Sequence, residues 1–109
     1  MRPIPRGLLI HRAVLRRPTE TNTFQASEYT ETCLSYVRFE PVKRTRKTKE
    51  NTERALSANM YFDCTNSRPQ GQDFRVGDRI VFRGTDYEVS AIERLYDNHG
   101  LHHYELELM

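Results

Sequence analysis

Tryptophan is absent from this 109-residue chain, and cysteine, at two, is scarce. Cys33 and Cys64 lack CxxC spacing, which excludes a disulfide framework or a cysteine-based zinc site. Both fall on predicted strands and are expected as reduced thiols packed as small apolar groups, with a single bridge between them left open. Glycine is also sparse, at five residues, and none forms a phosphate-cradling loop. No apolar run approaches the roughly 20 residues that cross a bilayer, so no membrane partner is expected. The leading MRPIPRGLLIHR is too short and too rich in arginine to read as a signal peptide, so an intracellular, unprocessed protein is expected. Acids are missing from the first 17 residues, which carry Arg2, Arg6, Arg12, Arg16 and Arg17. From Asp86 to Met109 the scarcity reverses, with six acids against Arg94 alone.

Apolar side chains are missing altogether from Lys43 to Arg54. In place of them, Lys43, Arg44, Arg46, Lys47 and Lys49 crowd into seven positions whose other two members are threonines. Without those five cations the formal charge of +2 becomes an excess of acid, twelve cations against fifteen. A segment with nothing to bury reads as a solvated, mobile loop from Pro41 to Arg54. Such a loop suits phosphate, since each neutralised phosphate adds sequence-independent, salt-sensitive affinity. It holds no aromatic residue on which a base could stack, so base reading is not expected.

What is present elsewhere is alternation. Pro3 and Pro5 keep residues 1–7 as an extended arm. Strands are predicted at Leu8 to Leu15, Cys33 to Glu40 and Leu56 to Cys64, where Leu56, Ala58, Met60, Phe62 and Cys64 repeat at period two. The stretch from Phe24 to Thr32 fits either a short strand or an irregular connection. After turn residues at 65–73 come Arg79 to Phe82, a tight turn at Arg83-Gly84-Thr85-Asp86, and Tyr87 to Leu95, together a hairpin. The last strand, His102 to Leu108, sets Tyr104, Leu106 and Leu108 inward and His103, Glu105 and Glu107 outward. About six strands and no convincing helix make an all-β chain. It is expected as one domain over residues 1–109, a small antiparallel barrel or sandwich with the basic loop between its second and third main strands.

No catalytic constellation emerges, and neither a metal nor a cofactor is implied. His102 and His103, adjacent on a strand, should point to opposite faces and so are poor candidates for joint ligation. His11 and His99 have no cysteine or histidine at ligand spacing and read as surface or strand-edge groups. Glu105 and Glu107 share a face, as any outward strand positions do, without a partner acid or base.

Three groups of residues carry a family resemblance. They are Arg2-Pro3-Ile4-Pro5 with Leu8-Leu9-Ile10-His11, Tyr61-Phe62-Asp63-Cys64 with Asn66-Ser67-Arg68-Pro69, and Leu95-Tyr96-Asp97 with Leu101-His102-His103-Tyr104-Glu105. The chain resembles the minor capsid proteins of tailed bacteriophages and prophages of Gram-positive bacteria, over most of its length but weakly at 16–32 and 43–54. Such proteins are similar to head-completion, or stopper, proteins, small β-barrels that ring the channel between head and tail. The resemblance implies a virion neck component that assembles in the host cytoplasm as a ring of about six or twelve copies. It implies as partners a portal-side adaptor, a tail-side protein such as a tail terminator, and packaged double-stranded DNA. By position alone, the basic stretch would face that DNA through Lys43, Arg44, Arg46, Lys47 and Lys49. The alternative reading is a cytoplasmic small barrel that binds nucleic acid without sequence preference. Independently of the resemblance, a basic front and an acidic end suit head-to-tail contacts between copies.

Overall fold

The computed structural model describes residues 2–19, 29–47 and 53–109, with the backbone alone given for 43–47 and 53–57. Six strands run through these residues: β1 (His11–Pro18), β2 (Tyr29–Lys47), β3 (Glu53–Asp63), β4 (Arg79–Phe82), β5 (Thr85–Asp97) and β6 (Gly100–Leu108). Every neighbouring pair is antiparallel, and the order β1-β2-β3-β6-β5-β4 closes through the β1–β4 pair. Of the two architectures the sequence allowed, closure selects the barrel, which leaves no long open edge for stray pairing.

Register follows from the period-two pattern. Ala58, Met60 and Phe62 of β3 stand opposite Leu108, Leu106 and Tyr104 of β6, and all six are buried. On the other flank of β3, Met60 pairs with Phe39 and Phe62 with Val37, which extends the inward stripe across three strands. A slip of one residue would turn Glu105 and Glu107 into this core, so the register is strongly specified. The connection after β3 closes the interior with Phe74, 1% exposed, whose ring meets those of Phe62 and Tyr104 at 5.2 and 5.1 Å. Near the other end Phe39 stacks on Phe82 at 4.1 Å.

Where strand limits differ from the sequence expectation, the cause is local. β1 starts at His11, three residues later than predicted, because Leu8 N and Leu9 N donate to Pro5 O and Arg6 O and make residues 6–8 a turn. Leu9 is buried, whereas Leu8 and Ile10 stay exposed. The same strand runs on to Pro18, three residues past the predicted end at Leu15. Arg17 is held there by Asp78, which is 2% exposed and accepts from Arg17 Nε at 3.0 Å and Nη2 at 2.8 Å. The undecided stretch before Cys33 resolves in part, since β2 begins at Tyr29.

The stretch from Pro41 to Arg54 departs further from its reading as a loop. β2 continues to Lys47 and β3 begins at Glu53, and the two pair as a hairpin whose strands reach well into the basic run. A two-stranded ribbon is held by backbone hydrogen bonds, and those require no apolar side chain. The connection from 48 to 52 lies outside the described residues.

Alternation also breaks at Tyr36, where Leu34 and Val37 are both buried although three apart. Between the pairs Arg12↔Ser35 and His11↔Val37 the register shifts, which leaves Tyr36 as an extra residue with φ of 56°. Such a bulge re-aims the strand and sets the Tyr36 ring outside, beneath the Arg6 guanidinium at 5.1 Å.

Candidate functional site

The basic hairpin leaves the barrel at a definite rung. Pro41 pairs with Ala58, and Ala58 pairs in turn with Leu108, the last residue of β6. The β3–β6 ladder ends at that rung, and a bulge that takes in Val42 and Lys43 separates the barrel ladder from the ribbon ladder. The ribbon then holds Arg44 opposite Leu56, Thr45 opposite Ala55, Arg46 opposite Arg54 and Lys47 opposite Glu53. At about 3.3 Å per residue, the six steps from Pro41 to Lys47 span roughly 20 Å. Of the five residues expected to face DNA, Arg44, Arg46 and Lys47 thus occupy ladder positions and Lys43 lies in the bulge. Lys49 lies outside the described residues.

Elsewhere the fold gathers some residues from each of the three motif groups into one knot. Asp63 is fully buried, and its carboxylate accepts three backbone N–H groups. Ile4 donates to Oδ1 at 3.0 Å, and Thr65 and Asn66 donate to Oδ2 at 3.0 and 2.7 Å. Asn66 Nδ2 returns a bond to Ile4 O at 2.8 Å. The buried Ser67 hydroxyl donates to Tyr36 O and accepts from Asp63 N. His102 Nε2 donates to Arg2 O at 2.6 Å. The N-terminal arm is therefore stitched to the Asp63 turn and to β6.

His102 and His103 do not avoid each other as their adjacency suggested. Between the pairs Leu95↔His103 and Tyr96↔Leu101 the β5–β6 register shifts, which places His102 in a bulge. There the two Nδ1 atoms lie 2.8 Å apart. Because His102 Nε2 donates to a carbonyl, its Nδ1 accepts when the ring is neutral, and His103 Nδ1 donates. Burial, the largest influence, holds His103 below the ordinary imidazole value, against the opposing pull of Glu105. His11 is not an idle surface group either. Its Nδ1 accepts from Phe39 N at 3.0 Å, and burial, then Arg83 and Arg38, hold it below the ordinary value.

This arrangement holds structure together and shows no activated nucleophile. Ser67 commits its hydroxyl to backbone partners, and Asp63 is occupied by three amides. Among the described residues no group of three or more His, Cys, Asp or Glu side chains is placed to hold a metal ion. Both cysteines are free thiols, Cys33 exposed and Cys64 half-buried with its pKa raised, by burial first and then by Asp63. The Asp63 turn was visible in the sequence only as turn chemistry; Asp followed by Asn three residues on was its one local signal.

A family model described as minor capsid protein matches residues 5–108. No curated protein matches the chain.

Proposed function

The chain belongs to the minor capsid protein family over residues 5–108, and from that premise we propose that it is a neck-ring protein of a tailed bacteriophage. In this reading it is a head-completion or stopper component between a portal-side adaptor and a tail-side protein, and it helps to retain packaged double-stranded DNA. Family membership itself makes the protein a structural part of a virion. The observation that carries the finer reading is the basic ribbon, which leaves a closed barrel as a two-stranded hairpin about 20 Å long. A closed barrel supplies a rigid body for a ring. A cationic ribbon supplies sequence-independent contact with phosphates that pass it.

One ribbon offers few phosphate contacts, and a ring of about six or twelve copies multiplies them around the DNA. Weak contact per copy suits a channel through which DNA must still leave.

The test is composition and placement. Purified particles should contain the protein in multiple copies, and a reconstruction of the neck should locate the barrel between adaptor and tail with residues 43–49 toward the lumen. Particles without the protein, or a hairpin directed away from the channel, would overturn the reading. A free cytoplasmic nucleic-acid-binding barrel makes a different prediction, tight and salt-sensitive DNA binding by the isolated monomer.

A further inference from the structure

Closure of the barrel converts the uneven charge of the chain into two faces. In the order β1-β2-β3-β6-β5-β4, β1 lies three strands from β6 in either direction, so Arg12 of β1 and the acids of β6 occupy opposite sides of the barrel. On the β1 side a groove of about 590 Å³ runs over Val14, Cys33, Tyr36 and Val81, with Arg12 and Arg83 among its lining residues. Arg6, Arg12 and Arg83 are exposed, and none has an ion-pair partner among the described residues. The other arginines of this side are already engaged: Arg16 faces Glu31, Arg17 holds Asp73 and Asp78, and Arg79 holds Asp86.

The far side carries the opposite imbalance. Glu93 of β5 stands directly across from Glu105 of β6. Like charges on one rung repel, and a β-sheet face ordinarily avoids them. Glu93 has no ion-pair partner among the described residues, and Glu105 has only His103 Nε2 at 4.0 Å. Among the described residues an acidic rung and three arginines therefore remain on one molecule without ion-pair partners for one another.

We propose that the Arg12–Arg83 groove of one copy receives the Glu93–Glu105 face of the next copy. A two-fold dimer cannot satisfy both faces when they lie on opposite sides, so the contact repeats head to tail. The acidic rung gains the cations it lacks, and the arginines gain carboxylates. The proposal rests on the neck-ring reading only for closure of the chain of copies into a ring; the pairing of faces rests on the charges and on the strand order.

Charge reversal separates the two. In sedimentation over a concentration series at low salt, the full-length protein should self-associate, and added salt should weaken the association. Arg12→Glu with Arg83→Glu, or Glu93→Lys with Glu105→Lys, should each weaken it about 100-fold while circular dichroism remains that of the parent protein. A one-to-one mixture of the two variants should reassemble, because each then offers the other a complementary face. A parent protein that stays monomeric, or reversed variants that assemble as well as the parent, would overturn the proposed contact. Either result would leave the virion reading untouched, since that depends on particle composition. If the protein assembled through these faces and were missing from particles, the neck reading alone would fail.

Discussion

Asp63 shows how one buried carboxylate organises several segments. Three amides, from Ile4, Thr65 and Asn66, depend on it, and each would be left without its acceptor by Asp63→Ala. Hydrogen bonds to a charged acceptor contribute roughly 1.5–3 kcal/mol each and are not additive, so a loss of about 3 kcal/mol is expected in urea unfolding. Asp63→Asn, which keeps two acceptor lone pairs, should lose less. The alanine substitution also frees the arm, so limited proteolysis should cut near Arg6 sooner in Asp63→Ala than in the parent protein.

His11 and His103 act on a different variable. Both are held below the ordinary value of 6.5, so at mildly acidic pH the unfolded chain binds protons that the native chain does not. Stability should therefore fall as pH drops below about 6.5, and the urea midpoint at pH 5 should lie under that at pH 7. His11→Gln, which presents no titrating ring to Phe39 N, should flatten this dependence. Neither histidine disclosed its role in the sequence. One reports to an amide 28 positions away, and the other meets its neighbour only because a bulge shifts the register.

At the scale of elements, strand existence was legible because apolar residues alternate, and β3, β4 and β6 lie close to where period two places them. Strand ends were less legible. β1 and β2 extend through polar residues whose partners are distant, as Arg17 is held by Asp78. Cys33 to Glu40 showed only partial alternation, and Tyr36 is the reason: an extra residue at positive φ lets Leu34 and Val37 share the interior. No pattern internal to that octapeptide marks the bulge, because it follows from contacts with β1 and Ser67. Phe74, in a connection, was likewise invisible as a core residue. Its ring fills the space between Phe62 and Tyr104, and Phe74→Ala should cost about 4 kcal/mol, read as a lower thermal midpoint. Ribbon residues 43–47 and 53–54 carry the composition of a loop, so their ladder was hidden by a rule about burial that a projecting ribbon does not obey.

For the whole molecule, the barrel and the ribbon should separate in their response to substitution. Replacing Lys43, Arg44, Arg46, Lys47 and Lys49 by Ser removes no residue of the buried core, so the thermal midpoint should shift little. DNA binding by the assembled protein should weaken. The slope of log affinity against log salt should become shallower by about 0.9 for each phosphate that is no longer neutralised. Binding that stayed unchanged across the salt series would remove the ribbon from the DNA interface. The all-β class and the family were both readable from the residues alone, the first from periodicity and the second from short runs that turn out to meet in one knot. What could not be read was that β1 and β6 lie on opposite sides, since only barrel closure decides that.

The bond from His102 to Arg2 joins residues 100 positions apart, and it bears on when the protein becomes usable. Long-range pairings of this kind raise contact order and slow folding. Residues at the front of the chain reach the ribosome exit first, yet Arg2 O finds its donor, His102 Nε2, only after β6 has been made. Synthesis of the last strand therefore times the docking of Arg2, and a half-made chain offers its neighbours neither a finished barrel nor a finished groove.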